Sequence, residues 1–226
     1  MFGHLSKYVT RGNTRRSFTA DDPEYSMVMT WATSTSIYHK FISVERLFSK
    51  SVASIKPLQD QEIICYRGRK YENDIQSWEQ MGPPCPKNAR EGRYNLPQKP
   101  VLYLSNSEDG VRFEIEPDRH GYFLQKYKAK SSQLRVVDFS DDHLPNLIRT
   151  VFDFAESCGT PRQASMPGYA FSNLVARIVQ DCGIDAMIVP GVKGIKGRTY
   201  TNIVVFNPSE MWATMSLRAD GFSFRK

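Results

Sequence analysis

The stretch Val101-Leu102-Tyr103-Leu104-Ser105-Asn106-Ser107-Glu108-Asp109-Gly110-Val111-Arg112-Phe113-Glu114-Ile115-Glu116 decides how the chain is read. Val101–Leu104 is a short apolar run that stops at polar turn residues, as a strand does. From Ser105 to about Glu116 the spacing becomes helical, with Ser105 or Ser107 as the N-cap. A strand that feeds a capped helix puts Tyr103 and Glu114, eleven residues apart, on neighbouring elements. A carboxylate facing a strand tyrosine can stabilise positive charge developing on a sugar carbon. Taken alone, Glu114 with Glu116 nearby also fits a solvent-facing acidic helix.

Upstream, Gln61–Arg67 reads as a strand whose apolar residues Ile63, Ile64, Cys65 and Tyr66 lead into Arg67-Gly68-Arg69. A guanidinium at a strand end can grip a phosphate through two parallel hydrogen bonds, a geometry that lysine lacks. The plainer reading of a single arginine is a surface salt bridge. Residues 70–100 hold Pro83, Pro84, Pro86, Pro97 and Pro100 and are read as one long loop. Within it, Glu91-Gly92-Arg93-Tyr94-Asn95 combines close backbone approach, charge and an aromatic face, which suits a nucleotide but also an ordinary turn.

Downstream, Val136–Phe139 reads as a strand, followed by a helix with Ser140 or Asp141 as its N-cap and Leu144, Leu147, Ile148 and Val151 as its apolar face. After Pro167-Gly168, Phe171, Leu174, Val175, Ile178, Val179 and Cys182 recur at helical spacing, and Gly183 closes that helix. Strands at Ala186–Val189 and Asn202–Phe206 bracket a loop holding Gly191, Lys193, Gly194, Lys196 and Gly197. Asn202 can donate and accept hydrogen bonds towards a ribose or an amide, or merely end a turn. Near the start, residues 1 to about 25 form a polar, basic arm. Ile37, Phe41, Val44 and Phe48, widened by Ile42 and Leu47, predict a helix between about Thr35 and Ser49. Strands and helices mix without regular βαβ alternation, so the expected fold is α+β around a twisted mixed sheet, with residues 1–55 as an N-terminal helical extension and 56–226 as the main domain.

An apolar share of 40% supplies a core and excludes global disorder. No apolar run is long enough to span a bilayer, and the first residues lack a signal-peptide segment, so a cytoplasmic site of action is expected. The four cysteines form no C-x-x-C pair and the four histidines are scattered, so no metal site is expected. The net charge of +6 fits an anionic ligand or an acidic partner. It also leaves open a basic nucleic-acid-binding module without catalysis, with Arg93 and Tyr94 as its contacts, although no named nucleic-acid motif is present.

In order along the chain, Tyr66-Arg67, Gly92-Arg93-Tyr94-Asn95, Val101-Leu102-Tyr103-Leu104-Ser105 and Glu114 resemble the RES domain, a family of NAD⁺-consuming toxins. Ile184-Asp185-Ala186 and Asn202-Ile203-Val204-Val205-Phe206-Asn207-Pro208 are similar to its C-terminal half. The resemblance covers roughly residues 60–210. It implies an ADP-ribosyltransferase-like fold and cleavage of the nicotinamide–ribose bond of NAD⁺ by hydrolysis or phosphorolysis, with ADP-ribosyl transfer to a macromolecule as the alternative. It also implies an antitoxin or immunity partner, an Xre-like helix-turn-helix protein in toxin–antitoxin members, and a homodimer. Delivery into a target cell, or immunity-protein binding, would fall to the N-terminal segment.

Carried over by residue, Arg67 is the family arginine that holds pyrophosphate or an incoming anion. Glu114 is the glutamate, and Tyr103 is the strand tyrosine that braces the ribose or stacks on nicotinamide. Arg93 and Tyr94 match the Gly-Arg-aromatic-Asn loop, with tyrosine where tryptophan is commoner, and Asn202 matches the asparagine opening the last core strand. These residues are expected around one pocket. The chain departs from the family after Ala186–Val189, where a serine is expected and Pro190-Gly191-Val192 stands. Thr199, Thr201 and Ser165 are the candidates to replace it.

Overall fold

A computed structural model describes residues 38–55, 62–71, 78–117, 120–130, 134–141, 143–158, 169–191, 200–209 and 217–225. The N-terminal arm, Ser165, Pro167-Gly168 and Thr199 lie outside the described residues. The chain forms two compact units.

One unit gathers helices α1 (Tyr38–Ala53), α3 (Asn146–Cys158) and α4 (Ala170–Asp181), together with Gly92–Tyr94. Each helix packs on the other two. Their buried residues follow the helical period: Phe48 and Val52 on α1, Ile148, Val151 and Phe152 on α3, and Val175, Ile178 and Val179 on α4. Leu47, read as part of the α1 stripe, is exposed instead. Arg177 and Glu45 pair at 3.0 Å between α4 and α1. Helix α3 starts at Asn146, beyond the predicted cap Ser140, whose backbone N–H and hydroxyl instead donate to Asp138 Oδ1 in a local turn.

The other unit is a seven-stranded mixed sheet with, among the described residues, one α-helix, α2 (Glu108–Ile115), making the fold α+β. The strands are β1 (Glu62–Lys70), β2 (Leu102–Ser105), β3 (Tyr122–Lys130), β4 (Val136–Asp138), β5 (Ala186–Pro190), β6 (Thr201–Val205) and β7 (Leu217–Arg225). Their order is β4-β5-β6-β2-β1-β3-β7, with β4 and β5 parallel and the other pairs antiparallel. The sequence reading missed β3 and β7. It also ended β1 at Arg67, whereas the ladder continues, with Arg67, Gly68, Arg69 and Lys70 paired to Gln125, Leu124, Phe123 and Tyr122. Backbone pairing is indifferent to the charge of outward side chains, so a basic run can extend a strand.

Residues opposite each other in register share a face, and neighbours along a strand alternate. Leu102, Val205, Ala186 and Val136 line up across four strands and, with Leu104, Ile203, Cys65, Tyr127 and Ala129, form the core on one face. Tyr66, Ser105, Asn202 and Val189 line up on the other face. Helix α2 covers part of that second face, where Val111 and Ile115 pack with Tyr66, Tyr122 and Leu124. Gly68 is required there, since a Cβ on it would overlap Val111 Cγ1.

Candidate functional site

Helix α2 positions Glu114. Its N-cap is Ser107, whose hydroxyl accepts from the Gly110 N–H at 3.0 Å, while Ser105 stays in β2. The helix stops at Ile115 because the next residue, Glu116, takes a left-handed conformation, φ 47°. Its last turn therefore places Glu114 over the beginning of β6. There Asn202 Nδ2 donates to Glu114 Oε1 at 2.6 Å, and the Tyr200 phenol donates to the same oxygen at 2.7 Å. Both are charge-assisted hydrogen bonds to a half-buried carboxylate, and together they orient it.

Tyr103 lies on the same face as Ser105 and Asn202, two residues along β2, and is 38% exposed. Its phenol donates to Asn95 Oδ1 at 3.0 Å. Asn95 is itself held, its Nδ2 donating to the backbone oxygens of Arg90 and Leu96. The tyrosine thus presents part of its ring to solvent while its hydroxyl is tethered.

The structure brings Glu114 and Asn202 into contact and sets Tyr103 on their face. Arg67 lies elsewhere. It sits within β1, between Tyr66 and Gly68, and both of those face α2. Its side chain leaves the sheet on the opposite face, beside Gln125 and Tyr127, so the single pocket expected around Arg67 and Glu114 is not how their side chains leave the sheet. Strand alternation is the physical reason, and it was hidden while Arg67 was read as a strand end.

Arg67 Nη1 is shielded from water and has no hydrogen-bond partner among the described residues. Burial lowers its guanidinium pKa to about 10. The neighbouring Tyr127 acts the other way, and Arg69 adds to the depression. Burial pushes Tyr127 up to about 12 against the pull of Arg67, and pushes the Cys65 thiol up to about 12.

In the helical unit, Arg93 is half-buried and Tyr94 is buried, so Tyr94 does not present an open stacking face to solvent. Two residues of the site went unassigned in the sequence reading. Tyr200 shares alternation parity with Asn202, which is a usable signal. Asn95 was visible only as the end of the Gly92-Arg93-Tyr94-Asn95 run. No group of three or more His, Cys, Asp or Glu among the described residues could hold a metal ion.

A match to the RES domain extends over residues 65–219. The chain belongs to the RES domain family. That span contains Arg67, Arg93, Tyr94, Tyr103, Glu114 and Asn202. The fold of this RES domain protein matches a chain of the M. tuberculosis MbcT-MbcA toxin-antitoxin complex, with a TM-score of 0.53 and 14% identity over 81% of this chain and 94% of that chain. At that identity the likeness concerns the fold. No curated protein sequence matches. No described helix of the RES domain protein is long and apolar enough to cross a membrane.

Proposed function

We propose that this RES domain protein is a toxin enzyme that cleaves the nicotinamide–ribose bond of NAD⁺. The observation that carries the reading is the half-buried Glu114 carboxylate, oriented by Tyr200 and Asn202 on the face that also bears Tyr103. As the C–N bond breaks, nicotinamide departs with the bonding electrons and the ribose carbon becomes oxocarbenium-like. A carboxylate fixed beforehand beside that carbon lowers the barrier without having to reorganise. Water then adds to the carbon and loses a proton, giving ADP-ribose, or phosphate adds there, giving ADP-ribose with a phosphate on that carbon.

Tyr103 is proposed to brace the ribose or stack on nicotinamide, and Asn202 to hold Glu114 and the sugar. Arg67, which the resemblance assigns to an anionic group of the substrate, leaves the face of the sheet opposite Glu114 and is not proposed to share its pocket. Arg93 and Tyr94 are proposed as nucleotide contacts, the role the family resemblance implies for them. An antitoxin or immunity protein is the proposed partner, by analogy with the structurally similar MbcT-MbcA complex.

The test is to incubate purified protein with NAD⁺, with and without phosphate, and measure free nicotinamide. Release by the wild type and its loss in Glu114→Gln are expected. Wild-type release that persists undiminished in Glu114→Gln removes Glu114 from the mechanism, and no release at all removes the reaction. Label from NAD⁺ fixed to protein or nucleic acid in a lysate would point to ADP-ribosyl transfer instead.

A further inference from the structure

The ring of Tyr200 lies in a slot made by two glycines that are far apart in sequence. A Cβ on Gly191 would overlap Tyr200 at Cε2 and Cζ, and a Cβ on Gly110 would come within 2.7 Å of Tyr200 Cδ2. Neither glycine is among the described residues with positive φ, so the demand is for space rather than unusual backbone: for the ring at Gly191, and at Gly110 for Ser105 Oγ, which a Cβ would overlap first, as well as for the ring. The slot is also tied down by main chain, since the Gly191 N–H donates to the Tyr200 carbonyl at 2.8 Å, directly beyond the Pro190–Thr201 pair of the β5–β6 ladder. Gly110 lies one helical turn before Glu114 on α2, so the surface that admits the ring belongs to the helix carrying the carboxylate. Phe113 closes a further side, its ring centroid 5.7 Å from that of Tyr200. Tyr200 is only 5% exposed, yet its hydroxyl emerges at Glu114 Oε1.

We infer that Tyr200 is the positioning residue of Glu114 and that Gly110 and Gly191 form the slot that aims its phenol. The role of the slot in catalysis rests on the reading of Glu114 as the group beside the ribose; its control of the carboxylate does not. Tyr200 is too buried to be a substrate contact. It acts through the glutamate. Asn202 reaches the same oxygen from β6, so the carboxylate is held by two donors whose positions are set separately, one by strand register and one by the glycine slot.

Three variants test this: Tyr200→Phe, which keeps the ring and removes the hydroxyl, Gly191→Ala, which displaces the ring, and the double variant. Two readouts are taken. The first is nicotinamide release from NAD⁺, resolved into kcat and KM. The second is the ¹³C shift of the Glu114 carboxyl, assigned by its disappearance in Glu114→Gln. Each single variant is expected to lower kcat about tenfold, the loss of one hydrogen bond to a charged group. KM and the folded circular dichroism spectrum should be unchanged, and the Glu114 resonance should move. In the Tyr200→Phe background, Gly191→Ala should add no further loss in kcat, because both changes remove the same contact. An unmoved Glu114 resonance in Tyr200→Phe overturns the inference, as do losses that multiply fully in the double variant. If the wild type releases no nicotinamide, the proposed reaction fails, and the carboxyl resonance alone decides whether Tyr200 positions Glu114.

Discussion

Asn202 Nδ2 and Glu114 Oε1 meet at 2.6 Å, joining the second residue of β6 to the last turn of α2 across 88 residues of chain. Asn202 owes its place to register, paired with Ser105 on one side and Val189 on the other. Replacing it with alanine leaves the ladder intact, because the pairing is made by main chain, and removes one charge-assisted donor. Asn202→Ala is expected to lower kcat for nicotinamide release by about 10- to 100-fold. Steady-state kinetics alongside a thermal melt checks this; a wild-type kcat refutes it.

Arg67 is held against its own solvation preference. Its guanidinium is desolvated and Nη1 lacks an acceptor among the described residues. An apolar side chain of similar reach relieves that cost, so Arg67→Met is expected to stabilise the fold by about 1–3 kcal/mol. Urea denaturation measures the effect. A variant less stable than wild type contradicts it.

Cys65 links the core to pH. Its thiol is raised from 9.0 to about 12 by burial, so the folded protein keeps the proton where the unfolded chain loses it. A raised folded-state pKa contributes stability that is present below the unfolded value and is lost as pH rises through the folded one. Between pH 8 and pH 10, the Cys65 contribution should fall by about 1 kcal/mol. Arg67 stays charged in the folded state up to about pH 10 and adds little over that range. Chemical denaturation at the two pH values, with Cys65→Val as the comparison, isolates the thiol; equal pH slopes for both proteins would exclude it. Iodoacetamide at pH 8 should label exposed Cys85 well before Cys65.

Gly68 sets how closely α2 lies on β1. A side chain there overlaps Val111 and crowds Ile115 Cδ1 at 3.0 Å. Gly68→Val is expected to destabilise the protein by about 1–3 kcal/mol through overpacking, and to depress nicotinamide release because α2 carries Glu114. Gly221, whose Cβ would find only Lys126 Cβ at 3.9 Å, provides the contrast, and Gly221→Ala should be tolerated. Thermal melts of the two variants decide the matter. Equal stabilities would show that α2 yields without cost.

Much of the α+β fold could be read locally. Apolar spacing located α1 and α4, Gly183 at φ 72° ended the latter as expected, and the runs at β2, β5 and β6 were plain. Strand β3 was legible too, since Gln125, Tyr127 and Ala129 alternate with Lys126, Lys128 and Lys130, but the lysines masked it. In β7, Asp220-Gly221 interrupts the pattern, and the β3–β7 register shifts between Lys126 and Tyr127, so pairing with β3 rather than local propensity defines that strand.

The sequence by itself determined the candidate chemistry: a glutamate on a capped helix, a strand tyrosine, an asparagine opening a strand and an arginine in an apolar run. Only the tertiary structure decided which of them meet. Periodicity along a chain says how neighbouring side chains alternate, but not which face of a sheet a helix covers or which strand lies alongside. Those depend on packing between residues far apart in sequence, such as Gly68 beneath Val111 or Gly191 beside Tyr200, and that packing placed Glu114 with Asn202 and turned Arg67 to the other face.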